Sequence, residues 1–209
     1  MLLELREVLN DDNTDGVFAE STLLGYLSEG QDKFCELTGY FTDISTYSIT
    51  MVDGTAIYDI PDRVIQVLDI YDGTRKLTKV KMGEDYSASD AEGTPAKWDA
   101  NVETGSIKFY PTPSADDGGN SLILQVWRYS QEDLADTTAE PEIPARFHRA
   151  CIEWAAFKAF MHHDMEAQDP VKSSDHYNAF MAYVRDGRVA LRRYQNQETR
   201  VGSDPAYRT

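Results

Sequence analysis

The sequence predicts an α+β protein: a helical bundle formed by N- and C-terminal helices, an inserted antiparallel β-rich domain, and an extended C-terminal tail. Three observations carry this. Apolar residues recur every three or four positions at both ends of the chain, they recur every second position between Ser45 and Ser130, and the last 25 residues reverse the charge of everything before them. A helix with an apolar stripe must bury it, so the first and last helices are expected to find each other. The expected divisions are 1–44 for the first part of the helical core, 45–130 for the β-rich domain, 131–194 for a linker and the rest of the core, and 195–209 for the tail.

Leu2, Leu5, Val8 and Leu9 predict a short first helix, broken by the polar run Asn10 to Gly16. Ser21 is the expected N-cap of a second helix with Leu23, Leu27, Phe34 and Leu37 on one face and Gly39 at its end. From Ser45 the pattern turns to β-branched and aromatic residues. Asp53-Gly54, between Tyr47–Val52 and Ala56–Ile60, and Asp72-Gly73, between Val64–Tyr71 and Lys76–Lys81, predict two hairpins. Ile107 and Phe109, then Leu122, Leu124 and Val126, alternate in the same way, which makes five or six strands. Gly83 to Asp99 is poor in apolar residues and reads as a long exposed loop.

After the acidic stretch Gln131 to Glu142, Ile143-Pro144 leads into the most apolar helix, with Phe147, Cys151, Trp154, Met161 and Met165 on one stripe. Ile152, Ala155, Ala156, Ala159 and Phe160 widen that stripe, so this helix is expected to pack on more than one side. Asp169-Pro170 supplies an N-cap and a first-turn proline for a last helix, with Tyr177, Phe180, Met181, Val184 and Leu191 facing inward. Beyond Gln195 the apolar periodicity stops.

Composition excludes several function classes. The longest apolar runs, such as Trp154 to Phe157, fall far short of the roughly 20 residues that span a bilayer. Met1-Leu2-Leu3-Glu4 lacks a basic secretory n-region, so the chain is expected to stay in the cytosol where it is made. Cys35 and Cys151 are expected as buried thiols. The net charge of −16 is uneven: 27 acids face 10 bases in residues 1–140, 6 face 4 in 141–184, and 3 face 6 in 185–209. So acidic a body repels phosphates, which argues against tight nucleic acid binding, while a basic end on an acidic body suits docking on an acidic protein surface.

Side chains that could carry chemistry are few. His162, His163 and Glu166 are the nearest approach to a metal site, but zinc needs a third protein ligand and an ordered second shell, and His148, His162 and His176 recur only at intervals of 14. Asp11-Asp12, Asp116-Asp117 and Glu132-Asp133 fall in expected loops as solvated acids. No glycine-rich phosphate loop and no nucleophile elbow is present. No catalytic, cofactor-binding or metal residue is therefore assigned, and no cofactor. Tyrosine and arginine are the side chains that anchor interfaces, and they cluster toward the basic end.

The order of elements and several local motifs resemble the head-to-tail adaptor, or connector, proteins of tailed bacteriophages. The matching features are the Leu2-to-Asp11 helix and loop, Tyr58-Asp59-Ile60-Pro61, Pro95-x-x-Trp98, Ile107-x-Phe109-x-Pro111-x-Pro113, and Ile143-Pro144 before the long helix. The resemblance implies a structural virion protein at the head–tail interface, made in the host cytoplasm, that is not an enzyme. It implies a homo-oligomeric ring of 12 copies between the portal protein and a downstream tail or nozzle protein, extending the DNA channel without sequence-specific binding and without a membrane. The family's C-terminal segment docks on the portal, which here makes Arg192, Arg193, Tyr194, Arg200, Tyr207 and Arg208 the docking candidates. The competing readings are a carbohydrate- or protein-binding module whose β-rich domain presents Trp98, Trp127 and Tyr129, and a metal-dependent hydrolase using His162, His163 and Glu166.

Overall fold

The computed structural model describes residues 1–11, 16–80, 91–101, 104–162 and 168–201, with side chains up to Tyr194. The chain divides into two compact units, Met1–Tyr40 with Tyr129–Thr209, and Phe41–Arg128. The fold is α+β, with four α-helices and mainly antiparallel sheets among the described residues.

In the first unit, α1 (Leu2–Leu9) buries Leu2, Leu5 and Arg6 and stops at Asn10, whose left-handed backbone turns the chain. Arg6 Nη1 donates to Asp11 Oδ2 at 2.7 Å, and Asp11 Oδ1 accepts the Val17 amide at 2.6 Å. Helix α2 (Glu20–Thr38) starts at Ala19, not at the expected Ser21, and no side chain caps it. The Ala19 carbonyl already accepts the Thr22 and Leu23 amides, which places Ser21 inside the first turn. Gly39 ends α2 at φ 64° with its amide on the Cys35 carbonyl, as its position predicts.

Helix α3 (His148–Phe160), entered through a 3-10 turn at Ala145–Phe147, is buried almost all round. It packs on α1, on α2 and on α4 (Pro170–Val201), which accounts for its wide apolar arc. Asp169 caps α4 as predicted, its Oδ1 accepting the Val171 and Lys172 amides at 3.1 Å. The helix runs to Val201, past the point where apolar periodicity stops. Periodicity reports burial, and an exposed helix does not need it.

Two of the expected inward positions face outward. Met161 is the C-cap of α3 and 54% exposed, and Tyr177 on α4 is 41% exposed. Met165 lies outside the described residues. Phe180 and Val184 are buried as expected, and Gly187 joins them on the α4 face. The acidic stretch is fastened to α2 by polar side chains. Gln31 accepts the Glu142 amide at 2.6 Å, Ser28 accepts the Leu134 amide at 2.8 Å, and the Ser130 hydroxyl donates to Asp32 at 2.6 Å.

Glycine sets the helix spacing at Gly30, where an added Cβ would lie 3.0 Å from the Cys151 backbone and the Trp154 Cβ. Gly30→Ala is therefore expected to destabilise the fold by about 1–3 kcal/mol through overpacking, despite alanine's better helix propensity. Gly25, which has nothing within 4 Å of its would-be Cβ, is the control. Gly25→Ala should stabilise by about 0.5–1 kcal/mol in the same urea titration. Two substitutions of equal effect would refute the close approach of α2 and α3.

The second unit holds two sheets. One runs β1 (Phe41–Asp43), β9 (Ser121–Arg128), β4 (Val64–Asp72), β5 (Arg75–Lys76), with β2 (Ser48–Thr50) also on β9. The other runs β3 (Ile57–Asp59), β8 (Ser106–Tyr110), β7 (Lys97–Asn101), β6 (Thr78–Lys79). The Asp72-Gly73 hairpin forms, with Tyr71 opposite Lys76. The Asp53-Gly54 hairpin does not: β2 pairs with β9 and β3 with β8, so the turn carries the chain from one sheet to the other. Its left-handed Gly54 donates to the Pro113 carbonyl, while the Tyr58 hydroxyl takes the Val52 amide that a hairpin partner would have used.

The strands number nine among the described residues, against the five or six expected, and β6–β7 is a parallel pair. Lys97 to Asp99, expected in a loop, lie in β7, and Trp98 is fully buried with Ile70, Leu77, Phe109 and Leu124 in one core. Residues 83–90 of that expected loop lie outside the described residues. At the edge, Asp43 accepts the Ser45 and Thr46 amides and the Thr46 hydroxyl and faces Arg128. Burial works against its charge, but these hydrogen bonds outweigh burial and hold the carboxyl below the usual range.

Candidate functional site

The predicted docking residues sit on the far end of α4. Gly187 is the last buried residue among those whose side chains are described, and the helix continues for roughly 20 Å beyond it. Arg188 Nε donates to the Leu37 carbonyl at 2.7 Å, satisfying one orphan acceptor at the end of α2. After half-buried Leu191, Arg192 and Arg193 are exposed and Tyr194 is 63% exposed. Arg200 falls in the last turn of the helix, while Tyr207 and Arg208 lie outside the described residues. Between Arg188 and Tyr194 the described side chains of α4 present a basic surface with one exposed aromatic ring.

Near the other end of α4, α2 and α3 enclose a groove of about 520 Å³ that sequence reasoning missed. Its walls are Tyr26, Glu29 and Lys33 of α2 and Trp154, Phe157 and Lys158 of α3, with Met161 and His162 at the rim. Trp154, 8% exposed, packs against Phe157 and Phe180 at ring separations of 5.2 and 5.0 Å, and its indole N–H has no acceptor among the described residues. Lys158 reaches Glu29 at 3.2 Å across the groove. The exposed Met161, placed on a buried stripe by spacing alone, is the one local signal of this groove.

The histidines are engaged separately. His148 Nε2 donates to the Ile143 carbonyl, His162 meets Phe18 edge-on at 5.6 Å, and His176 Nδ1 lies 2.6 Å from Glu153 while its ring stacks on Phe160. Glu153 also accepts Arg149, which in turn reaches Glu4, so one polar chain ties α1, α3 and α4 together. His163 and Glu166 lie outside the described residues, and no three potential ligands gather among the described ones. Cys35 and Cys151 are both buried, and burial raises the Cys151 thiol well above its ordinary range. No helix among the described residues is long and apolar enough to cross a membrane.

A basic helix end and an aromatic groove are features that suit contact with other proteins. A comparison with curated proteins finds no match. The model of the SU10 adaptor protein family matches residues 1–205, and the chain belongs to this family of phage head-to-tail adaptors. It is accordingly a structural adaptor component of a phage virion, and membership implies interaction with portal and tail proteins.

Proposed function

We propose that the protein forms a ring of twelve copies between the portal and the tail, extends the DNA channel, and docks on the portal through its C-terminal segment. The observation that carries the reading is the exposed basic end of α4. Residues 185–209 hold six arginines against three acids, on a chain whose net charge is −16. An acidic body suits a channel that passes DNA without holding it, because each neutralised phosphate adds counterion-dependent binding. Membership of a structural adaptor family suggests that the protein acts without catalysis.

The binding-module alternative loses its support. Trp98 is buried in the sheet core, so it cannot present a ligand face together with Trp127 and Tyr129.

Deleting Gln195–Thr209 tests the docking role. The cut removes the last turns of α4 and leaves its described buried face, which ends at Gly187, intact, so the melting temperature should barely change while attachment to the purified portal ring is lost. Full attachment by the truncated protein, or its unfolding, would refute the assignment.

A further inference from the structure

We propose that copies of this protein join head to tail, with Arg192 and Arg193 at the α4 end of one copy seated in a pocket formed by the acidic stretch, residues 131–142, of the next. The inference rests on the adaptor-ring reading for its setting and names the contact between copies. It gives Arg192 and Arg193 to the neighbouring copy and leaves residues 195–209 to the portal.

The acidic stretch has the shape and chemistry of a receptor for arginine. It carries five acids and no base, and it folds around a pocket of about 400 Å³. Glu132, Asp133, Glu140 and Glu142 line that pocket beside Leu134 and Ala139, and no lysine, arginine or histidine is among the described lining residues. Its frame is fixed, because Ser28 and Gln31 of α2 hold the Leu134 and Glu142 amides, and Leu134 and Pro141 are buried. Glu142 is used on the Gln131 amide at 2.9 Å, whereas the Glu132 and Glu140 carboxylates are exposed and have no partner among the described residues. An arginine answers both parts of such a site. Its methylene stem covers apolar surface while its guanidinium forks onto a carboxylate.

The chain carries the matching surface itself. Residues 185–194 of α4 hold four arginines against Asp186, a net of +3, opposite the −5 of the acidic stretch. Arg192 and Arg193 are exposed, and neither makes an ion pair among the described residues. Two surfaces with uncompensated charge of opposite sign attract and orient one another, while either surface repels its own kind.

One copy cannot make this contact within itself. Helix α4 runs beside α2 in the same direction, since Phe180 shares Trp154 with Gly30 while Gly187 approaches Phe34 and Thr38. Arg188 reaches the Leu37 carbonyl at the end of α2, and Arg192 lies a further turn beyond. The pocket is fastened earlier on α2, at Gln31 and Ser28. Pocket and arginine are therefore about 15 Å apart along the helices of one compact unit. Their pairing must join two copies through unlike surfaces, the heterologous contact that builds a ring when its rotation closes.

Charge reversal at exposed positions tests the pairing and leaves the core alone. One variant carries Arg192→Glu and Arg193→Glu, the other Glu132→Arg and Glu140→Arg, and circular dichroism verifies that both are folded. In sedimentation velocity on the full chain at low salt, the wild type should associate beyond a dimer as its concentration rises, and each variant alone should stay monomeric. An equimolar mixture should associate beyond a dimer again. In it the acidic helix end of the first variant meets the basic pocket of the second, and the basic helix end of the second meets the acidic pocket of the first. The reversals move the net charge from −16 to −20 and −12, so both variants remain strongly negative and general attraction does not produce the recovery. The proposal is overturned by a wild type that stays monomeric throughout, by a single variant that associates like the wild type, or by a mixture that stays monomeric while the wild type associates. The protein lacking Gln195–Thr209 keeps Arg192 and Arg193, so it should still self-associate while losing the portal. Portal docking and copy-to-copy docking therefore fail by separate readouts.

Discussion

Replacing Trp154 by alanine is expected to remove about 3–5 kcal/mol from the stability of the helical unit and lower its melting temperature by on the order of 10 °C. The indole packs between Phe157 and Phe180 and lies against Gly30, so it fills the space where α2, α3 and α4 meet. Truncation leaves a cavity that helices held by close backbone contact at Gly30 cannot collapse to fill. Calorimetry should show one transition moving while that of the β-rich unit stays in place. A change under about 1 kcal/mol would mean that Trp154 is a lining residue of the groove and not a core residue.

The second large effect is expected at Asp11. Arg6 and Asp11 form an ion pair with both side chains at least nine-tenths buried, and the Arg6 Nε has no acceptor among the described residues. Asp11→Ala strands a buried guanidinium with, among the described residues, only the Phe18 carbonyl at 3.4 Å, and releases the Val17 amide. The cost should be about 3–5 kcal/mol in a urea titration. Lys33–Glu36, an exposed pair of the same 2.7 Å length, is the comparison, and Lys33→Ala should cost no more than about 1 kcal/mol. If the two substitutions cost the same, the Arg6–Asp11 pair is not desolvated in solution.

What the sequence disclosed follows from how locally each feature is encoded. Gly39 and Asp169-Pro170 mark helix ends because their chemistry acts on their own backbone, and both lie where expected. The Asp53-Gly54 turn was equally local, but a turn does not choose partners: β2 found β9 and β3 found β8, strands far along the chain. Trp98 was hidden because Lys97 and Asp99 flank it and the preceding residues are polar, yet one inward tryptophan suffices to anchor β7. The end of α4 kept its helix without an apolar stripe, since Gln, Glu and Arg favour helix on their own. The exposed, basic character of Arg192, Arg193 and Tyr194 was legible because a charge reversal is written in sequence order. The groove was not, because Glu29 and Lys158 meet across a separation of 129 residues.

Strands β1 and β9 pair with Phe41 opposite Arg128, so the chain leaves the helical unit and returns to it on neighbouring strands. During synthesis α2 emerges long before α3, and without order in between, closing a loop of about 110 residues would cost about 4 kcal/mol. Once β9 is made, the β-rich unit has all of its strands and its pairing holds the two exit points side by side. By the time α3 appears, the long excursion acts as a connection of about 20 residues, and the entropic penalty for α2 to meet its partner falls by about 1.5 kcal/mol.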